Sequence, residues 1–314
     1  MPDAARPELL AIAPVYAPAL AEAETFCTLH RRWLLPDADA FLREHGTRIR
    51  VLVTTGVRGF TARDLDGLPN LGHVACFGMG HGTFDLAAAK ARGLTVSNTP
   101  DWTDEAVADV ALGLMIGTMR RLCEADRFVR AGRWPEGPFP MSTDLRGKTV
   151  GLVGLGSIGR AVARRVEGFG MKVVWHGPSP KADTPWPYFP ALVSMAEAVD
   201  CLVVCCGSTE ATRRLVDAHV LAALGPQGFL VNVSRGAVVD EAALIEALAS
   251  GVIAGVGLEV FEDEPRVPAE LRAMDQVMLV PHIGSSTREI RAHRQATFIG
   301  NVKAFLGGDG RALV

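Results

Sequence analysis

Short apolar runs bounded by turn residues alternate along this chain with stretches whose apolar positions recur every third or fourth residue. Runs at 9–15, 48–55, 72–77 and 94–98 predict strands, and 37–45, 62–68 and 84–92 predict helices between them. Past Asn98-Thr99-Pro100-Asp101, Thr103 can cap a helix that carries Asp104 and Glu105 in its first turn. Val107, Val110, Ala111, Leu114, Met115, Met119, Leu122 and Phe128 then keep helical spacing to about residue 130. Such a helix has more apolar surface than one sheet covers. A second alternation follows, with strands expected at 149–153, 172–176, 200–206, 228–233, 252–258 and 277–280. Helices are expected at 160–169, 218–224, 241–250 and, last, 286–306. The fold class is therefore α/β, with two doubly wound parallel-sheet domains.

The first strand of that second alternation runs into Gly154-Leu155-Gly156-Ser157-Ile158-Gly159 and then into a helix (Ile158, Val162, Val166, Phe169). A strand, a glycine turn and a helix N-terminus in that order are what a dinucleotide pyrophosphate needs. Gly154 permits the tight turn, Gly156 the approach of phosphate to backbone, and Gly159 close packing of helix on strand. Glycine turns also occur for steric reasons alone, but the flanking elements favour the dinucleotide.

At 314 residues, 48% hydrophobic and 21% charged, the chain has room for two domains. A net charge of −3 provides no basic footprint for nucleic acid, and no apolar run reaches membrane-spanning length. The N-terminal stretch lacks a basic region before its short, proline-interrupted apolar part, and reads as a mature cytoplasmic terminus. Cys27, Cys76, Cys123, Cys201, Cys205 and Cys206 show no zinc spacing; three of them share one apolar run, which suits reduced core residues.

Three polar sites fall at or just beyond expected strand ends: Asn232-Val233-Ser234-Arg235-Gly236, Phe261-Glu262-Asp263-Glu264-Pro265 and Pro281-His282-Ile283-Gly284-Ser285. Singly they read as a surface arginine, a solvated charge run and a loop histidine. Together they offer a guanidinium for two-point contact with a carboxylate, and a carboxylate that favours the protonated form of a nearby imidazole. Two glycine loops, 54–59 and 77–82, also follow strands, and read equally well as anion-binding N–H cradles or as tight turns. Gly132-Arg133-Trp134-Pro135 puts a large aromatic in a proline-rich loop.

These motifs resemble the D-isomer-specific 2-hydroxyacid dehydrogenases, most of all the bacterial glyoxylate/hydroxypyruvate reductases, over nearly the whole chain. The resemblance implies a Rossmann dinucleotide-binding domain at 100–284 and a flavodoxin-like substrate domain at 1–99, completed by a C-terminal helix within 285–314. It implies that Arg235 binds the substrate carboxylate and carbonyl, that His282 passes the proton, and that Glu264 pairs with His282. Gly154, Gly156, Ser157, Ile158, Gly159, Ser179, Lys181, Cys206, Thr212, Val233, Arg235, Glu259, His282 and Gly284 would line the cofactor. Thr55, Gly78, Met79, Gly80, Arg235 and His282 would meet the substrate, with Gly78-Met79-Gly80 holding its carboxylate through main-chain N–H groups. Trp134 would enter that pocket from the partner subunit of a homodimer.

The family's usual Asp, which contacts the nicotinamide amide, is here Glu259. Glu264 argues against formate dehydrogenases, which carry Gln there, and the sequence shows no added C-terminal domain of the regulated phosphoglycerate dehydrogenases.

The expected activity is NAD(P)H-dependent reduction of glyoxylate or hydroxypyruvate to the D-2-hydroxy acid, in the cytoplasm, without metal, nucleic acid or membrane. The alternatives are a dinucleotide-sensing corepressor-like protein of the same fold, or a dehydrogenase for another small 2-hydroxy acid. NADP(H) is expected over NAD(H). The strand at 172–176 ends in Gly177-Pro178-Ser179-Pro180-Lys181 with no carboxylate before Asp183, and Ser179, Lys181 and Arg160 are available to a 2′-phosphate.

Overall fold

A computed structural model describes residues 6–78, 84–100 and 103–308. The chain divides into two units, residues 1–101 with 288–314, and residues 102–287. In the first, β1 (Glu8–Ala11), α1 (Ala17–Ala23), β2 (Thr28–Arg31), α2 (Ala38–His45), β3 (Ile49–Thr55), β4 (His73–Phe77), α3 (Leu86–Ala91) and β5 (Thr95–Ser97) follow in order. The strands form a parallel sheet in the order β2-β1-β3-β4-β5, the flavodoxin-like winding. Alternate residues face opposite layers, as the two-residue strand period requires. Leu9, Ala11, Val51 and Val53 pack on one side with Ala19 and Leu20 of α1, while Leu10, Leu52 and Val74 pack on the other with Phe60, Leu65 and Ala89.

The second unit opens with α4 (Thr103–Met119) and α5 (Leu122–Arg130), followed by β6 (Thr149–Val153), α6 (Ser157–Gly168), β7 (Lys172–His176) and the short β8 (Tyr188–Phe189). Then come α7 (Leu192–Glu197), β9 (Cys201–Val204), α8 (Ala218–Leu224), β10 (Phe229–Asn232), α9 (Glu241–Ala249), β11 (Gly255–Leu258), α10 (Ala269–Ala273) and β12 (Val277–Leu279). Every strand pair is parallel, in the order β12-β11-β10-β9-β6-β7-β8. This is the Rossmann order with one strand added beyond β11. Chain direction across the sheet reverses at β6, so the turn after β6 lies at the switch point where such sheets bind ligands. Leu152, Val203 and Val231 face α4 and α6; Leu202, Val204 and Leu230 face α7, α8 and α9. The last helix, α11 (Arg288–Leu306), belongs to the first unit and packs on β4 and α1 through Phe298, Ile299 and Val302. Among the described residues no helix is long and apolar enough to cross a membrane.

Several local expectations are corrected. The segment expected as one helix to residue 130 breaks at Arg121, which takes a left-handed φ of 53° and clamps Glu124 with two hydrogen bonds. Residues 62–68 shorten to one tight turn, Ala62–Leu65, closed by a reciprocal Thr61–Asp64 capping box. Phe84 pairs as a bridge with Phe60, so α3 starts two residues later, capped by the Asp85 side chain. Thr103 already lies within α4, so it is not the residue that caps it. The alanine-rich α1 and the polar edge strand β2 carry too weak a pattern to be read, as do the short β8, α7 and α10.

Candidate active site

The turn after β6 has the geometry a pyrophosphate needs. Gly154 adopts φ 101°, and a Cβ there would lie 2.8 Å from the Cys206 backbone; one on Gly159 would lie 2.3 Å from the Gly154 carbonyl oxygen. Both positions therefore exclude side chains. Gly156, in contrast, has no heavy atom of the described residues within 4 Å of an added Cβ, and it precedes α6 without any side-chain cap among them. The first N–H groups of α6 are thus left for a ligand, with exposed Ser157 and half-buried Ile158 beside them. The residues present fit a nicotinamide dinucleotide.

Beyond β10 the backbone is folded by its own side chains. Buried Asn232 accepts from the Ser234 N–H (3.0 Å) and donates to the Arg235 carbonyl (3.1 Å), while Ser234 Oγ donates to the Cys206 carbonyl (2.6 Å). A Cβ on Gly236 would lie 2.0 Å from the Phe261 carbonyl carbon, so the loops after β10 and β11 touch backbone to backbone. Held between them, Arg235 is exposed, and among the described residues its guanidinium donates only to the neighbouring Ser234 carbonyl (2.7 Å). Its remaining N–H groups are available to an anion. Asn232 and Ser234 were not singled out as positioning residues. Asn-x-Ser directly after an apolar strand was the signal that could have found them.

His282 follows β12 in a left-handed conformation, φ 49°, with its N–H donated to the Glu259 carbonyl (3.0 Å) and the Val280 carbonyl (3.1 Å). A non-glycine residue with that φ is uncommon and is held by its surroundings. Its Nδ1 lies 2.8 Å from Glu264 Oε2, and Glu264 Oε1 accepts from the Phe261 N–H at 3.2 Å. A carboxylate can only accept, so Nδ1 donates and Nε2 is left free for other chemistry. Acid and imidazole thus form a fixed pair, both partly open to solvent.

Glu259 lies beneath this turn, 2% exposed. One carboxyl oxygen accepts from the Gly284 N–H, and Oε2 has no hydrogen-bond partner among the described residues. Burial pushes its carboxyl above the ordinary range, a shift opposed by the Gly284 N–H and by the charges of His282 and Arg235. Between the ordinary value of 4.5 and the raised one, the folded chain keeps a proton that the unfolded chain has lost. Stability from this group is therefore full below 4.5 and falls as pH rises through the folded value. Glu259→Gln removes the ionisation and keeps the shape. The unfolding free energy of the variant relative to the parent should climb from pH 4.5 upward and then level off. Urea titrations at stepped pH measure this; a difference independent of pH would exclude a buried acid in this form.

The other expected residues are distributed as follows. Val233 is buried at the end of β10, with its N–H on the Val204 carbonyl. Half-buried Cys206 packs against Gly154, and Thr212 closes a capping box with Thr209. Ser179 is exposed; Lys181 donates to the Leu155 carbonyl (2.9 Å), which brings its ammonium against the glycine turn. Arg160 is committed elsewhere, with Nη2 2.9 Å from both carboxylate oxygens of Asp183, so it is not the spare cation expected. In the first unit, Thr55 ends β3, and Gly78 follows β4 with φ 122°. The Gly78 N–H donates to Thr99 Oγ1 (2.8 Å) and is already satisfied, which corrects its expected part in carboxylate binding. Met79 and Gly80 lie outside the described residues. Trp134 is 66% exposed after α5.

The profile described as "D-isomer specific 2-hydroxyacid dehydrogenase, NAD binding domain" matches residues 112–284. A glyoxylate/hydroxypyruvate reductase A of Arabidopsis thaliana is 42% identical over 91% of this chain and 92% of its own. The structure of a 2-hydroxyacid dehydrogenase from Ketogulonicigenium vulgare superposes with a TM-score of 0.90 at 36% identity, covering 97% of this chain and 96% of that one. An NADPH-dependent glyoxylate/hydroxypyruvate reductase from Sinorhizobium meliloti, solved with NADP and malonate, is 41% identical, with a TM-score of 0.82 and coverage of 99% and 96%. With a Rossmann unit, a glycine turn fitted to a nicotinamide dinucleotide and a paired acid and imidazole at its strand ends, this chain belongs to the D-isomer-specific 2-hydroxyacid dehydrogenases.

Proposed function

We propose that this enzyme reduces glyoxylate to its achiral 2-hydroxy acid or hydroxypyruvate to the D-2-hydroxy acid. The observation that carries the reading is the His282–Glu264 pair, 2.8 Å apart, on the same sheet edge as an exposed Arg235. A bound nicotinamide dinucleotide supplies the hydride. Arg235 holds the substrate carboxylate and keto oxygen, and its charge counters the negative charge that builds on that oxygen. Protonated His282 gives that oxygen a proton from Nε2, while Glu264 orients the ring and balances its charge. Thr55, Met79 and Gly80 are the first unit's proposed substrate contacts. Oxidation of NADPH and NADH followed at saturating glyoxylate and at saturating hydroxypyruvate tests the reading. Absence of turnover with both would favour a dinucleotide-sensing role instead.

NADPH is the preferred cofactor in this reading. No carboxylate stands directly after β7, Asp183 is neutralised by Arg160, and the Lys181 ammonium lies against the glycine turn. Lys181→Ala should lower kcat/KM for NADPH about tenfold, the size of one charge-assisted hydrogen bond, and leave NADH nearly unchanged. Fluorescence titration with each dinucleotide supplies a readout independent of turnover. A parent that prefers NADH, or equal losses with both cofactors, would show that Lys181 does not read the 2′-phosphate.

The reading includes a homodimer and a reducing, cytoplasmic setting, the latter supported by six free cysteines. The apolar face of α4 is covered within its own unit by α6, β10 and β11. The surplus lies further on, where Leu122, Val129, Trp134 and Met141 are 51%, 53%, 66% and 95% exposed. Sedimentation at micromolar concentration should give a dimer, with Trp134 serving the partner's substrate pocket. A fully active monomer would contradict both assignments.

A further inference from the structure

A cavity of about 450 Å³ opens in the first unit among Ile12, Arg32, Trp33, Arg58, Arg63 and Asp64. Ile12 follows β1, Arg32 follows β2, and Arg58 and Arg63 follow β3, so the cavity lies off the carboxyl edge of a parallel sheet, where ligands of open α/β sheets bind. Its chemistry is organised around one carboxylate. Asp64, only 7% exposed, receives two hydrogen bonds from Arg58 (2.8 and 2.7 Å), one from Arg32 (3.1 Å), and others from the Thr61 N–H and hydroxyl. Burial opposes its ionisation, but the Arg58 and Thr61 hydrogen bonds outweigh that and hold the carboxyl below the usual range. Both guanidiniums are thereby fixed. Arg63 makes no ion pair among the described residues.

Three cations thus face one anion, and two positive charges remain uncompensated around the cavity. Like charges held this close repel, and a bound dianion would relieve the repulsion. Guanidiniums with free N–H groups suit phosphate oxygens, and Trp33, 41% exposed, brings an indole to the lining against which a flat ring can pack.

We infer that this cavity is a binding site for a small phosphate monoester carrying a planar ring. The net charge selects the dianion over a carboxylate, and the indole selects the ring.

The test uses the full-length protein saturated with NADP⁺, so that the glycine turn is filled. The indole N–H resonance of Trp33, identified by its loss in Trp33→Phe, is followed as phenyl phosphate is added. A saturable shift with a Kd of about 1 mM or tighter is expected. Arg63→Gln removes a side chain with no ion pair, so the fold should keep its melting temperature while the Kd rises about tenfold, one charge-assisted contact. Benzoate should bind at least about tenfold more weakly than phenyl phosphate, for want of the second charge. A Trp33 signal unmoved through the millimolar range overturns the site, as does an unchanged Kd in Arg63→Gln. Benzoate binding as tightly as phenyl phosphate overturns the phosphate assignment.

Discussion

His282→Ala should lose on the order of 10²–10⁴ in turnover, the range for removal of a positioned acid. The imidazole is exposed enough that its loss leaves the core intact, so melting temperature and dinucleotide binding should change little while chemistry collapses. Glu264→Gln puts an amide beside Nδ1 that can donate as well as accept, so the ring is no longer held to the tautomer that a carboxylate imposes, and turnover should fall while dinucleotide binding holds. Unchanged turnover in this variant would mean that Glu264 only braces the loop through the Phe261 N–H, and full activity in His282→Ala would remove the histidine from proton transfer.

The site residues most legible in the sequence were those whose chemistry is tied to a strand end. Gly154, Arg235, Glu264 and His282 each follow an apolar run, and β-strand spacing alone places them along one sheet edge. What could not be read was how the side chains between them pair. Nothing in the spacing of Arg160 and Asp183 says that they meet across a loop, because the loop's path is set by tertiary contacts. The unpartnered oxygen of Glu259 was equally hidden, since it depends on where Gly284 comes to rest. The fold followed the same division. Long apolar runs such as 149–153 gave strands to the residue, whereas the Arg121 break needed a left-handed residue that no propensity marks. The Asp64 cluster was invisible for a related reason, because it joins residues that follow two different strands.

Arg235→Gln should cost about 10²–10³ in kcat/KM, the scale of removing one preorganised donor from a developing oxyanion. The side chain is exposed and, among the described residues, bonded only to its neighbour's carbonyl, so the core packing is untouched and the melting temperature should hold. The kinetic split carries the information. If the guanidinium only anchors the substrate carboxylate, KM rises and kcat stays. If it also meets the keto oxygen, kcat falls as well, because that contact strengthens as charge moves onto oxygen. The geometry favours the second result, since Arg235 is placed by the Asn232 turn on the same edge as His282. Arg235→Lys separates charge from shape: an ammonium keeps the charge but cannot make the planar two-point contact. It should recover binding before it recovers turnover. The substitution also removes one of the two charges that favour ionised Glu259, so the pH dependence of stability assigned to that residue should become steeper in Arg235→Gln. A variant with unchanged kcat, unchanged KM and an unchanged stability profile would place Arg235 outside the site.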